Sequence, residues 1–180
     1  ICRDKLGNMW LGAFSGGVNL YKKTTSSFTL YRHNSLPGSL TNNFVLALFE
    51  DRDKQIWVGT DGGGLNKFDP HSGTFSSYRQ QPKGKNGIAG NYVLVVNQDA
   101  DGDIWAGTWG NAISILNPKT QKFTYLAPEP GNPNSLIGNN VYNLIHTRDG
   151  KTWISVFGAG LDCYDKKTKN FTHFKFDIND

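Results

Sequence analysis

Helix is almost unwritten in this 180-residue chain: 21 glycines and 7 prolines interrupt it too often, and Val, Ile, Thr, Phe and Tyr fill the short runs between them. Cysteine is scarce. Cys2 and Cys163 lack metal-ligand spacing and read as small apolar residues rather than halves of a bridge. No apolar run approaches 18 residues and no signal peptide is recognisable, so the sequence as given is expected neither to span a bilayer nor to carry its own address. A piece cut from a longer chain would lack both as well. The net charge is only +4, and the 19 Lys and Arg are spread along the chain apart from a small cluster at Lys166, Lys167 and Lys169, which suits a solvated turn. No nucleic-acid partner is expected. His33, His71, His146 and His173 fall at four unrelated positions and read as surface or loop residues, and no carboxylate pair stands above the others. The glycine-rich segments at Gly62-Gly63-Gly64 and Gly158-Ala159-Gly160 join strand to strand, with no helix N-terminus to hold a phosphate. No catalytic residue, cofactor or metal is expected.

What is present is a repeat. Tryptophan recurs at Trp10, Trp57, Trp105 and Trp153, at spacings of 47, 48 and 48. Eleven residues further on stand Tyr21, Phe68, Leu116 and Tyr164, and eighteen further on Phe28, Phe75, Phe123 and Phe171. A fixed period of this length marks a solenoid, a propeller or an array. Within the second period, apolar or alternating runs over 45–51, 56–60, 65–69 and 74–79 are separated by turn residues, which makes four short strands, here A to D. The third and fourth periods repeat the pattern, and the first begins partway through strand A. The A–B connections, such as Asp51-Arg-Asp-Lys and Asp99-Ala-Asp-Gly, read as hairpin turn chemistry rather than calcium ligation. Four antiparallel strands and a long return describe a propeller blade. The expectation is an all-β chain, a single β-propeller segment over 1–180 with blades at about 1–33, 44–80, 92–127 and 140–176. The recurring Trp and Phe rings should fill the gaps between blades. Gly12, Gly59 and Gly107, two residues past their tryptophans, should lie where a neighbour comes close.

The string Trp57-Val-Gly-Thr-Asp-Gly-Gly-Gly-Leu-Asn-Lys-Phe-Asp, preceded by Asp-Arg-Asp-Lys-Gln-Ile, resembles the two-component regulator propeller repeat, as does the linker from Pro130 to Val141. The third repeat departs from it at Asn111-Ala112 and at Asn117. The resemblance implies the periplasmic sensor region of a hybrid histidine kinase, of the kind found in Bacteroides-type bacteria that detect polysaccharide fragments. The kinase domains themselves are not written in this sequence, so the segment is expected to be non-enzymatic. A propeller hydrolase or lyase and a protein–protein scaffold are the alternatives.

Blade topology places the B–C turns and the D–A returns on one face. Phe14, Asp61, Trp109 and Phe157 stand four residues after the tryptophans, in the B–C turns, and Tyr92 and Asn140 stand at the returns. Rings stack on sugar faces and amides or carboxylates bond hydroxyls, so these six are the candidate contacts for an oligosaccharide. Asn43, Asn91 and Asn139 share one register and are read as turn formers. Four blades of a wider ring would leave apolar flanks at both ends, to be covered by further blades of the parent chain or by a second copy joined end to end. Closure into a private four-bladed ring is the other possibility.

Overall fold

A computed structural model describes residues 1–82 and 85–175; the expected end of the fourth blade, at 176, lies outside them. The chain forms four antiparallel four-stranded sheets, each built from consecutive strands. The first contains β1 (Cys2–Arg3), β2 (Met9–Ala13), β3 (Gly17–Lys22) and β4 (Ser27–Tyr31). The second contains β5 (Val45–Glu50), β6 (Ile56–Thr60), β7 (Gly64–Asp69) and β8 (Thr74–Tyr78). In the third are β9 (Val93–Gln98), β10 (Ile104–Thr108), β11 (Ile113–Asn117) and β12 (Lys122–Leu126), and in the fourth β13 (Val141–His146), β14 (Lys151–Val156), β15 (Gly160–Asp165) and β16 (Asn170–Phe174). These are propeller-like blades. Three hydrophobic cores lie between successive sheets, and none joins the first sheet to the fourth, so the described residues form an open series rather than a closed ring.

Each interface is built the same way. Trp10 packs against Tyr31 and Phe68, in a core that includes Phe75. Trp57 stacks on Tyr78, which meets Phe123, and Trp105 packs on Tyr164, which meets Phe171. The tryptophan of one blade thus lies under aromatic and apolar residues of the next. The rule corrects two of the expected gap-filling rings. Phe28 is 68% exposed, because no sheet among the described residues supplies a tryptophan on that side. Trp153 is only half-buried, with Phe174 of its own sheet as its ring neighbour, because no sheet follows it among them.

The glycines two residues past the tryptophans lie where the next blade comes too close for a side chain. A Cβ on Gly12, Gly59 or Gly107 would come within 2.5, 2.8 or 2.6 Å of Cγ1 of Val45, Val93 or Val141, the first residue of the next blade's inner strand. In the fourth blade this place is held by Ser155.

The tryptophans are also latched from below. Asp4, Asp51 and Asp99, each six residues before its tryptophan, accept the indole Nε1–H of Trp10, Trp57 and Trp105 at 2.9, 2.7 and 2.9 Å. Their second oxygens accept backbone N–H groups of the same turn, as Asp51 does from Gln55 at 2.8 Å. These carboxylates are therefore committed to holding the turn and the ring. In the fourth blade the latch position is Thr147.

A second recurring bond ties each return to its blade. The backbone N–H of Thr41, Ala89 and Ile137 donates to the side chains of Asn66, Ser114 and Asp162 at 3.2, 2.9 and 2.8 Å. The residue type changes while the bond stays.

Candidate functional site

The B–C turns and D–A returns do share a face, and backbone bonds fix it. Gly17 N donates to Asn43 O, Gly62 and Gly64 N to Asn91 O, and Ala112 N to Asn139 O, each from one blade's turn to the next blade's return. Asn43 and Asn91 also accept, through Oδ1, the N–H of His33 and Gln80 at 2.8 Å. Their carbonyl oxygens, of side chain and backbone, shape the returns, as befits turn formers.

The structure brings five of the six candidate contacts into two groups and leaves Phe14 apart from them. Trp109 and Phe157, from the third and fourth blades, meet at 5.3 Å between ring centroids. Asn140 lies beside them, its Oδ1 accepting the Gly110 N–H at 2.9 Å, which orients the amide and leaves its Nδ2 with no protein partner among the described residues. Asp61 and Tyr92 form a bridge between the second and third blades. The Asp61 carboxylate makes no hydrogen bond among the described residues. Phe14 is paired edge-on at 4.7 Å with Phe44, which the sequence reading did not single out. Phe14, Tyr92, Trp109 and Phe157 are all substantially exposed, Trp109 at 43%. Rings partly shielded by each other, with hydrogen-bonding groups beside them, are what a sugar ring needs for stacking and for its hydroxyls.

A further group was missed entirely. The inner strands β5, β9 and β13 each shift register near their start, where residues 46, 94 and 142 are skipped in the pairing with β6, β10 and β14. A bulge of this kind re-aims a side chain. Leu46, Leu94 and Tyr142, together with Val95 and Asn143, line one open cavity of about 340 Å³. The unbroken apolar runs Val45–Phe49 and Val93–Val96, which do not alternate as a half-buried strand should, were the available signal.

On the opposite face, with the A–B turns, the third and fourth blades are joined by charge. Lys166 Nζ from the fourth blade reaches Asp99 and Asp101 of the third at 2.6 Å each, and Asp103 at 3.4 Å. Burial of the Lys166 amine opposes its charge, but the bonds to Asp101 and Asp99 outweigh that and raise its pKa. Burial likewise works against the Asp99 anion, yet the Lys166 and Trp105 hydrogen bonds leave its pKa below the usual value.

Two histidines correct the expectation of surface or loop positions. His146 on β13 packs edge-on against Trp105, its Nδ1 at 2.9 Å from Thr152 Oγ1 and its Nε2 buried without a partner among the described residues. Burial holds its pKa down at about 4, with Lys166 and Arg52 acting in the same direction and Asp99 opposing. His173 on β16 faces Asp162 through Nδ1 at 2.6 Å and the Pro133 carbonyl through Nε2 at 2.8 Å. Both partners are acceptors, which favours the protonated ring, and the Asp162 and Pro133 bonds raise its pKa. Both histidines serve contacts between elements. His33 and His71 are exposed, in the return and the turn where they were expected.

Comparison with known proteins agrees with this geometry. The family described as the two-component regulator propeller matches residues 39–62 and 87–110, the same return, inner strands and turn in two successive blades. The extracellular domain of a protein named as a hybrid two-component system of B. thetaiotaomicron superposes with a TM-score of 0.84 at 24% identity, over 97% of this chain and 24% of that one. One named as a one-component system of the same organism gives 0.80 at 20% identity, over 97% and 24%. PorZ, a surface component of the type-IX secretion system of Porphyromonas gingivalis, gives 0.66 at 16%, over 97% and 25%. The chain thus spans about a quarter of each of these structures. No curated protein matches it. In fold, it resembles the extracellular sensor domains of Bacteroides two-component regulators.

Proposed function

We propose that this chain is a β-propeller segment of a periplasmic sensor, part of an inner-membrane hybrid two-component histidine kinase whose catalytic domains lie outside it, and that it responds to an oligosaccharide without chemically altering it. The observation that carries the reading is the face shared by the B–C turns and D–A returns. Trp109 and Phe157 there form an exposed aromatic pair across two blades, with Asn140 beside it and the unbonded Asp61 carboxylate one interface away. The resemblance to extracellular domains of regulators supports the location and the sensing role. Because the candidate contacts come from different blades, a glycan bound across them would favour one arrangement of the blades, and any signal would be limited to that difference in affinity.

The flanks bear on the partners of this segment. Tyr21 and Phe28 line one, and Trp153 and Phe174 the other, which repeats the two halves of an internal interface. Further blades of the parent protein, or a second copy joined end to end, would cover them.

The test is incubation of the purified chain with a panel of polysaccharide-derived oligosaccharides, following heat of binding and product by chromatography. Saturable binding with every glycan recovered intact is the expected result. Appearance of a shortened or unsaturated product would replace the sensor with a propeller hydrolase or lyase.

A further inference from the structure

We infer that the cavity between the bulges of the inner strands is a subsite for an acetamido group on the bound sugar. The inference rests on the proposal that this face takes an oligosaccharide, and adds which sugar. Three features of the cavity carry it.

The first is its construction. Bulges at one register in three successive blades turn Leu46, Leu94 and Tyr142 into a common space, joined by Val95 and Asn143. Bulges are kept where a side chain must be re-aimed, and here they expose apolar side chains that a regular strand would have directed elsewhere. Leu46 and Leu94 follow Phe44 and Tyr92 by two residues and Tyr142 follows Asn140 by two, so the cavity adjoins the face with the candidate contacts. Its volume, about 340 Å³, is near the low end of ligand pockets, which run from roughly 300 to 1,000 Å³, and suits a single sugar unit.

The second is charge. None of the five lining residues carries one, so the cavity offers nothing to a uronate, a sulfate or an amino sugar's ammonium. Such a group would meet no countercharge there to offset the water it gives up.

The third is the donor set. Asn143 Oδ1 accepts the Leu144 N–H at 2.9 Å, which fixes the amide's orientation and leaves Nδ2 as a donor with no protein partner among the described residues. The Tyr142 hydroxyl likewise has no protein partner among them and can accept or donate. An acetamido group presents a methyl, a carbonyl oxygen and an N–H. The leucines take the methyl, Asn143 Nδ2 bonds the oxygen, and Tyr142 Oη accepts the N–H. A bare hydroxyl would leave the leucines without an apolar partner.

The experiment is calorimetric titration of the 180-residue chain with N,N′,N″-triacetylchitotriose, its fully deacetylated counterpart and cellotriose. Leu94→Asp and Tyr142→Ala are titrated alongside, with melting curves to show that each variant folds. The acetylated trimer is expected to bind tighter than either of the others by roughly tenfold or more, as a pocket reading one group allows. Leu94→Asp should remove that preference, because it places a charge where the methyl sits. Equal binding of all three, unchanged by Leu94→Asp, overturns the acetamido subsite and leaves oligosaccharide sensing standing. Absence of binding by all three also overturns it, and the sensing proposal then falls only if the wider glycan panel fails as well.

Discussion

Trp105 and its counterparts show how one residue type can carry several duties at once. Its indole is fully buried, donates to Asp99 and lies against His146 and Tyr164 of the next blade. Trp105→Ala is expected to cost about 3–5 kcal/mol, read as a lowered midpoint in urea, since it opens a cavity at a blade interface. The aspartate latch makes a separate prediction. Asp51→Ala removes the acceptor of a buried indole and of a turn N–H, and should destabilise by roughly 2–3 kcal/mol in the same assay. The tryptophans were legible in the sequence because the ring recurs unchanged. The latch was not, although Asp4, Asp51 and Asp99 stand in plain register, because an aspartate opening a hairpin connection reads equally well as ordinary turn chemistry. The bond from return to blade was harder still: Asn66, Ser114 and Asp162 share a role and no single side-chain type.

Within the strands and turns, left-handed backbone recurs with the same period as the tryptophan. Seven residues past each one stand Gly17, Gly64, Ala112 and Gly160, with φ of 74°, 81°, 58° and 121°. A Cβ on Gly64 would come within 2.4 Å of the Tyr78 carbonyl oxygen, so Gly64→Ala should cost at least about 2 kcal/mol through strain and clash together. Ala112 occupies the same position in the third blade, and its methyl is fully buried. The strand limits were legible almost to the residue, since turn residues bracket every run. The bulges left only the unbroken apolar runs as a sign, because they depend on how β5, β9 and β13 pair, and pairing is not visible in one strand's composition.

The histidines set the response of these elements to pH. His146 is held near 4 in the fold against an ordinary value of 6.5, so the unfolded chain takes up its proton first and stability is lost as pH falls from about 6.5 to about 4. His173 runs the other way: its raised pKa contributes stability that is full below about 6.5 and lost as pH rises through its folded value. His146→Phe keeps an aromatic ring in contact with Trp105, and should flatten the acid limb of a stability-against-pH curve measured by urea titration. An unchanged limb would assign the acid sensitivity to other groups.

For the whole molecule, three internal interfaces define what the two flanks are made to meet. With Trp153 half-buried and Phe28 exposed, the isolated chain is expected to associate as its concentration rises, seen by light scattering as growth beyond 20.0 kDa. Trp153→Ser should suppress that growth while leaving the three internal cores untouched. The sequence showed four blades and the face their turns share, but which side chains on that face come into contact depends on how neighbouring blades are seated. The Trp109–Phe157 pair became visible only there. The sugar-binding face is therefore tested most directly by calorimetry of the Trp109→Ala chain with the glycan that binds the parent sequence best. The expected result is affinity weakened by roughly 1–3 kcal/mol with the melting temperature nearly unchanged. Undiminished binding, or a large fall in melting temperature with binding intact, would contradict it.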